Sequence, residues 1–244
     1  MTRPVLRYAR WQLRDHLLGA GRVIALAAVV VGVLLWRIRV SNPGVADGGL
    51  AALTGFLGSM GWPLVLLATS GIISTDRVEG FNRALFSAPV SPAAFYMQRW
   101  LLGGLVVATL PLTLSVAIRV AFGAWVDPWP HTAVLLLLYL LLGALVFCWS
   151  SFGRRDWAIG LSLYLGQGAL TSAQEAGIPL PAIFYQVNRL FPPFHLIDFG
   201  SPQQPGVQLP AGAEWVHFLG YAAVLLAIGV AVLRYRPMGS GVRG

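Results

Sequence analysis

Long runs without a charged side chain alternate along the chain with short segments in which the charges gather. Five such runs cover residues 48–75, 100–118, 128–153, 157–174 and 215–233. Each approaches or exceeds the roughly 18–20 residues that a helix needs to cross a bilayer. A sixth run, 23–36, is shorter, and it crosses only if Arg22 or the pair Arg37 and Arg39 extends toward lipid headgroups. The pattern predicts an all-α membrane protein with six transmembrane helices, in agreement with its 57% share of hydrophobic residues.

The arginines predict how these helices are oriented, because basic residues gather on the cytoplasmic side of a membrane. With the N-terminus in the cytoplasm, 4 of the 17 basic residues fall in outer segments (Arg37, Arg39, Arg119 and Arg189), which leaves 13 in inner ones. Five of the nine acids also lie in outer segments: Asp47, Asp127, Glu175, Asp198 and Glu214. We therefore expect a cell-membrane protein with both termini in the cytoplasm. The net charge of +8 then reflects membrane orientation rather than nucleic-acid binding.

The chain contains no lysine, since all 17 basic residues are arginine. A Walker-A loop and a Schiff-base site both need a lysine, so this chain is not expected to hydrolyse ATP by that route. The sequence also lacks an HExxH motif, a GxSG nucleophile context and paired acids inside the predicted spans. The histidines do not pair at membrane depth, and the one cysteine, Cys148, fits a small core residue. We therefore expect neither an enzyme nor a chain with a cofactor or metal of its own.

Residues 1–18 predict a helix on the inner membrane surface. Four arginines at spacings of 4, 3 and 4 form one narrow stripe, and apolar side chains lie mostly elsewhere on the helix. The stripe consists of Arg3, Arg7, Arg10 and Arg14. We expect this interfacial helix to precede the first span.

A second amphipathic helix is predicted between spans two and three, over residues 76–88. A helical wheel groups the apolar side chains Val78, Phe81, Leu85 and Ala88 on one face and Asp76, Glu79, Arg83 and Ser87 on the other. Asp76 is expected to cap the start of the helix, Glu79 to pair with Arg83, and Pro89 to end it. The apolar face should lie against the bundle, and the charged face should point to the cytoplasm, where such a helix suits the groove of another protein.

The longest outer segment, 175–213, contains apolar residues at helical spacing after Pro181. These residues are Ile183, Phe184, Val187, Leu190 and Phe191. We expect 181–191 to form a short re-entrant helix that dips into the outer leaflet, and Pro192-Pro193 to end it.

Small residues mark helix faces on which backbones approach closely. In the fifth span, Ala158, Ser162 and Gly166 recur at four-residue spacing, and the contact that they predict lies either within the subunit or between subunits. Ser162 and Gln167 are polar at membrane depth, so we expect them to serve helix packing or a translocation path rather than to face lipid. Pro111 is expected to kink the third span.

The segment between spans two and three resembles a pattern of ABC-2-type transporter permeases. Gly80 and Pro89 stand nine residues apart, after Arg77 and Glu79 and before Val90-Ser91. In that family the segment is the coupling helix that contacts the ATPase subunit. The resemblance therefore implies a coupling helix over 74–90, with Asp76, Arg77, Glu79, Gly80, Arg83 and Pro89 as the coupling residues. Phe81 and Arg83 replace the Thr and Glu that are usual in the family's pattern.

In outline the resemblance covers residues 1–244 as a single permease domain. It implies an interfacial helix, six spans, the coupling helix and short re-entrant helices before span six. It also implies a second permease subunit, identical or different, a separate ABC ATPase that binds ATP and Mg²⁺, and export across the lipid bilayer. The alternatives are a six-helix intramembrane enzyme, a secondary transporter and a scaffold subunit of a membrane complex.

Overall fold

The apolar runs form long helices in the computed structural model, which describes residues 3–41, 48–79, 91–123, 125–153, 156–178, 181, 184, 192–197, 199–200, 207 and 209–235. Over these residues the structure contains helices and connecting turns but no strand. The helices are α1 (Arg3–His16), α2 (Arg22–Ser41), α3 (Gly48–Thr69), α4 (Ser74–Val78), α5 (Pro92–Val107), α6 (Thr109–Phe122), α7 (Trp129–Phe152), α8 (Asp156–Glu175) and α9 (Glu214–Tyr235). The all-helical prediction is confirmed.

Five helical stretches of the described chain are long and apolar enough to cross a membrane. They are Tyr8–Ser41, Gly49–Asp76, Pro92–Phe122, Trp129–Phe152 and Glu214–Tyr235. The fifth predicted span, 157–174, coincides with α8, but the apolar part of that helix, Ala158–Leu170, is shorter. A multi-pass membrane architecture is therefore supported, and the count of six spans stays a prediction.

The first span is longer than its uncharged run suggested. A π-helical turn, Leu17–Gly21, joins α1 to α2 without a break, and α2 continues past Arg37 and Arg39 to Ser41. The guanidinium of Arg39 donates a hydrogen bond of 2.6 Å to the carbonyl of Ala121, near the C-terminal end of α6. Such end carbonyls lack partners within their own helix, so this arginine is accommodated by capping a neighbour.

Two pairs of helices run side by side in the same direction. The α1–α2 stretch follows α5–α6 through contacts at a nearly constant sequence separation: Gln12 with Phe95, His16 with Arg99, Gly32 with Ala117 and Arg39 with Ala121. Likewise α3 follows α7, through Thr54 with His131, Gly61 with Leu135 and Thr69 with Gly143. Between these pairs the direction reverses, because α5 contacts α3 through Arg99 with Ile72 and Gly103 with Ala68. Successive spans, from the α1–α2 stretch through α3 and α5–α6 to α7, therefore alternate in direction, as repeated crossing of a membrane requires.

The alternation brings the charged segments to one end of the bundle. We call this the polar end, and it holds His16, Ile72, Arg99 and Asp156, which come from four different stretches of chain. It is the end that the arginine distribution predicts to be cytoplasmic.

The third span is interrupted where a proline was expected to kink it. A turn at Ala108 separates α5 from α6, three residues before Pro111. Proline has no N–H to donate to the carbonyl four residues earlier, and its ring crowds that carbonyl. The hydroxyl of Thr109 donates to the carbonyl of Val106 at 2.7 Å beside the interruption. The helix is thus interrupted close to the proline, and the kink itself stays a prediction.

One stretch of the outer segment packs into the bundle. Pro192, Pro193 and Phe194 are buried, and the ring of Phe199 lies against Gly61 of α3. Of the predicted re-entrant helix 181–191 the structure describes Pro181 and Phe184, both exposed in this single chain, and the rest lies outside the described residues. The Pro-rich stretch that was expected only to end that helix is therefore the part that contributes to the core.

Candidate functional site

The predicted coupling helix begins at the polar end of the bundle. Its first turn is α4, which starts at Ser74, and Arg77 lies within it. Glu79 follows directly and is exposed. Gly80, Arg83 and Pro89, and with them the expected Glu79–Arg83 pair, lie outside the described residues. The extent of the helix to residue 88 therefore stays a prediction.

Asp76 lies inside the bundle rather than on the charged outer face. The wheel placed it with Glu79 toward the cytoplasm and placed Val78 toward the bundle, yet the Asp76 side chain is 8% exposed and Val78 is 62% exposed. Asp76 is also not the cap of α4, because the residue that precedes the helix is Ile73. A helical wheel considers one helix in isolation. Here a cation from another span binds Asp76, so this side of α4 faces the bundle.

That cation is Arg99, in the middle of α5. Its Nη1 lies 3.2 Å from Oδ2 of Asp76 and also donates to the carbonyl of Ile72 at 3.3 Å. Its Nη2 lies 2.7 Å from Oδ2 of Asp15 in α1. A guanidinium presents several N–H groups in a rigid fork, which lets one side chain bind two carboxylates at once. Arg99 therefore connects three elements of the polar end.

Helix α1 is also attached to α5 by hydrogen bonds to two backbone carbonyls, those of Phe95 and Arg99. Nε2 of His16 lies 2.9 Å from the carbonyl of Arg99, and the side-chain amide of Gln12 donates to the carbonyl of Phe95 at 3.3 Å. Tyr8 packs edge-on against the ring of Phe95 with 5.7 Å between ring centroids. Gln12 and His16 are buried by these contacts, whereas Arg10 and Arg14 of the predicted basic stripe are exposed. The surface location of this helix stays a prediction.

A second carboxylate fixes the turn that leads from α3 into α4. Oδ2 of the buried Asp156, the first residue of α8, accepts hydrogen bonds of 3.1 Å from the backbone N–H of Gly71 and from the hydroxyl of Ser74. Gly71 has φ of +75°, and a Cβ there would lie 2.5 Å from the hydroxyl of Thr75. Only glycine fits this turn without strain. The start of α4 is therefore held on one side by Asp156 and on the other by Arg99.

An open polar cleft of about 330 Å³ lies beside this turn. Its lining consists of Ser70, Gly71, Ser74, Thr75, Val78, Glu79 and Asp156. The described residues bring no group of three His, Cys, Asp or Glu together in a way that could hold a metal ion. The arrangement is structural and electrostatic: buried charges anchor a short helix on which Val78 and the following Glu79 are exposed.

Two of the three residues predicted for helix packing or a translocation path are exposed in the part of the chain that the structure describes. Ser162 is exposed, and a Cβ at Gly166 would meet no atom within 4 Å. The side chain of Gln167 lies outside what the structure describes. In α8 the close approach occurs at Gly160, whose added Cβ would lie 2.9 Å from Val146 of α7. Within the described residues, the small-residue face of α8 is part-buried at Ala158 and exposed at Ser162 and Gly166.

Three residues of the polar end, Asp15, Arg99 and Asp156, were not predicted from the sequence. One signal could have found two of them. Nine acids less the five assigned to outer segments leaves four on the inner side: Asp15, Asp76, Glu79 and Asp156. All four belong to this site or to its cleft lining, so an inventory of the acids on the arginine-rich side would have identified them.

Comparison with known proteins does not place the chain in a family. The sequence matches no protein-family model, and it has no significant match among curated proteins.

Proposed function

We propose that this chain is the membrane-spanning permease subunit of an ATP-driven exporter of the ABC-2 type, located in the cell membrane with six spans and both termini in the cytoplasm. Two permease subunits, identical or different, form the translocation path. A separate ATPase subunit binds ATP and Mg²⁺ and supplies the energy. It contacts the segment 74–90, which transmits its movement to the spans.

One observation carries this proposal: the start of the predicted coupling helix is clamped to the helix bundle while its other side is free. Asp76 binds Arg99 of the third span, and Ser74 binds Asp156 at the start of α8. Val78 and Glu79 are exposed. A segment that passes a force from a soluble partner to membrane helices needs both a rigid attachment and an accessible surface, and these residues supply both.

The alternatives receive less support from the described residues. A secondary transporter usually couples to ions through acids at membrane depth, and an intramembrane enzyme needs catalytic groups together at one depth. The described acids instead gather at the polar end, as Asp15, Asp76, Glu79 and Asp156 do, or lie at or beside the ends of α7, α8 and α9, as Asp127, Glu175 and Glu214 do. A scaffold subunit predicts a complex without an ATPase, which the following experiment tests.

The proposal is tested by purifying the chain from its native membrane together with the proteins that remain bound to it. The purified complex is placed in liposomes, and its rate of ATP hydrolysis is measured. We expect an ATPase subunit to co-purify. The double substitution Glu79→Ala/Arg83→Ala should leave the permease folded, because an exposed i, i+4 pair contributes only about 0.3–0.5 kcal/mol. It should nevertheless lower ATP hydrolysis, since these side chains are proposed to face the ATPase.

A matched control removes one acid and one arginine from the opposite end of the bundle. Arg119→Ala/Asp127→Asn changes two exposed residues, and asparagine keeps the acceptor that binds the backbone N–H of Trp129. This variant should hydrolyse ATP as the wild type does. Co-purification without any ATPase would refute the proposed function. Equal activity of both double variants would refute the role of Glu79 and Arg83 alone.

A further inference from the structure

We infer that Arg99 is a positioning residue that makes the N-terminal helix and the coupling segment move as one unit. The inference rests on the proposed function and goes beyond it, because the N-terminal helix then takes part in coupling although it is far from residues 74–90 in sequence. Asp15 and Arg99 are 84 positions apart, and Asp76 and Arg99 are 23 apart.

The guanidinium of Arg99 binds two different elements with its two terminal nitrogens. Nη1 and Nη2 point to different elements, since Nη1 reaches Asp76 and the carbonyl of Ile72 while Nη2 reaches Asp15. The side chain of Arg99 is 13% exposed, so it is held between these partners rather than free in solvent. A displacement of α4 is therefore transmitted to α1 through the planar guanidinium group of Arg99.

Helix α1 is attached to the main chain of α5. Gln12 and His16 bind the carbonyls of Phe95 and Arg99, one helical turn apart. These contacts fix the register of α1 on α5 but do not reach α4. The Arg99 side chain adds the direct connection to α4, which the register contacts alone do not provide.

The two ion pairs of Arg99 differ in burial. The Asp76 side chain is 8% exposed, whereas that of Asp15 is 50% exposed. Removing one partner of a buried pair leaves an uncompensated charge, but an exposed pair exchanges readily with water. The Asp15 contact can therefore be removed without unfolding the site, and it is the contact at which the inference is tested.

The experiment compares Asp15→Asn with Asp15→Glu, which keeps the carboxylate, and with Asp127→Asn at the opposite end of the bundle. In a Cys148→Ala background, spin labels on cysteines at the exposed positions 11 and 78 report the distance between α1 and α4. We expect Asp15→Asn to broaden this distance distribution. It should also lower the maximal rate of ATP hydrolysis about two- to fivefold, the size of an exposed ion pair, with the KM for ATP unchanged. Asp15→Glu and Asp127→Asn should behave as the wild type.

A second variant, Arg99→Lys, tests the fork itself. An ammonium keeps the charge beside Asp76 but is a compact point charge without a fork. We expect the same broadening as in Asp15→Asn. An unchanged distance distribution in Asp15→Asn, or a broadened one with unchanged ATP hydrolysis, would overturn the inference. Absence of an ATPase from the wild-type complex would instead refute the proposed function, and the two failures are thereby distinguished.

Discussion

Gly103 is the position at which the packing of the bundle is most directly testable. It lies in α5 where this helix meets three others, and an added Cβ would approach an atom from each of them. The distances are 2.7 Å to the hydroxyl oxygen of Tyr139, 3.2 Å to Cε1 of His16 and 3.4 Å to the carbonyl oxygen of Ala68. A separation below 3 Å cannot be kept, so Gly103→Ala must displace the tyrosine.

The cost follows from what holds Tyr139 in place. Its hydroxyl donates a hydrogen bond to the carbonyl of Trp100, and its ring packs against the Trp100 indole with 5.3 Å between ring centroids. An extra methyl group in a well-packed core costs about 1–3 kcal/mol, and loss of a buried hydrogen bond about 1 kcal/mol. Alanine regains about 0.5–1 kcal/mol over glycine in a helix. We therefore expect a net loss of about 1–3 kcal/mol.

The assay is thermal unfolding of the purified chain in detergent, followed by tryptophan fluorescence. Gly58→Ala is the control, because a Cβ at this α3 position meets no atom within 4 Å. In a Tyr139→Phe background the 2.7 Å clash is removed, so Gly103→Ala should cost clearly less there than in the wild type. If Gly103→Ala unfolds at the same temperature as Gly58→Ala, the packing of α5 against α7 is not as described.

Two further predictions concern the other end of the bundle and the orientation of the chain. Arg39→Ala should lower the unfolding temperature, because it removes the 2.6 Å hydrogen bond to the α6 carbonyl of Ala121, whereas Arg37→Ala, also in the last turns of α2, should change it less. In a Cys148→Ala chain, an impermeant thiol reagent should label cysteines placed at 45, 128 and 200 from outside the cell, and labelling of any of them only after permeabilisation would overturn the predicted orientation.

The spans were predictable where apolar length alone decides the structure. The run 128–153 corresponds to α7, Trp129–Phe152, and 215–233 corresponds to α9, Glu214–Tyr235. An uncharged stretch of this length is long enough to cross the hydrocarbon core as a helix, whichever helices surround it. The first span was underestimated because its arginines were counted as ends, whereas Arg39 finds a carbonyl on an adjacent helix.

The polar end was not predictable from periodicity, because its partners come from distant parts of the chain. A helical wheel contains only the residues of one helix, and on that basis Asp76 belongs with Glu79 on the outer face. The structure adds Arg99 from the third span, and the ion pair outweighs the local amphipathic pattern. The same limitation concealed Asp156, whose partners Gly71 and Ser74 are 85 and 82 positions away.

Arg99 and Gly103 lie on the same face of α5. Arg99 and Gly103 are four residues apart in α5, so they stack one turn above the other. A force on α4 that reaches Arg99 therefore meets, one turn further, a contact with no room for adjustment, because Tyr139 and Ala68 enclose Gly103. Closely packed side chains are nearly incompressible, so they transmit a displacement rather than absorb it.

The first point at which the third span can bend is the interruption at Ala108. Beyond it, α6 is bound to α2 by Arg39. Under the proposed function, movement of the segment 74–90 should accordingly swing α5 as a unit about Ala108, with α1 carried along through Asp15.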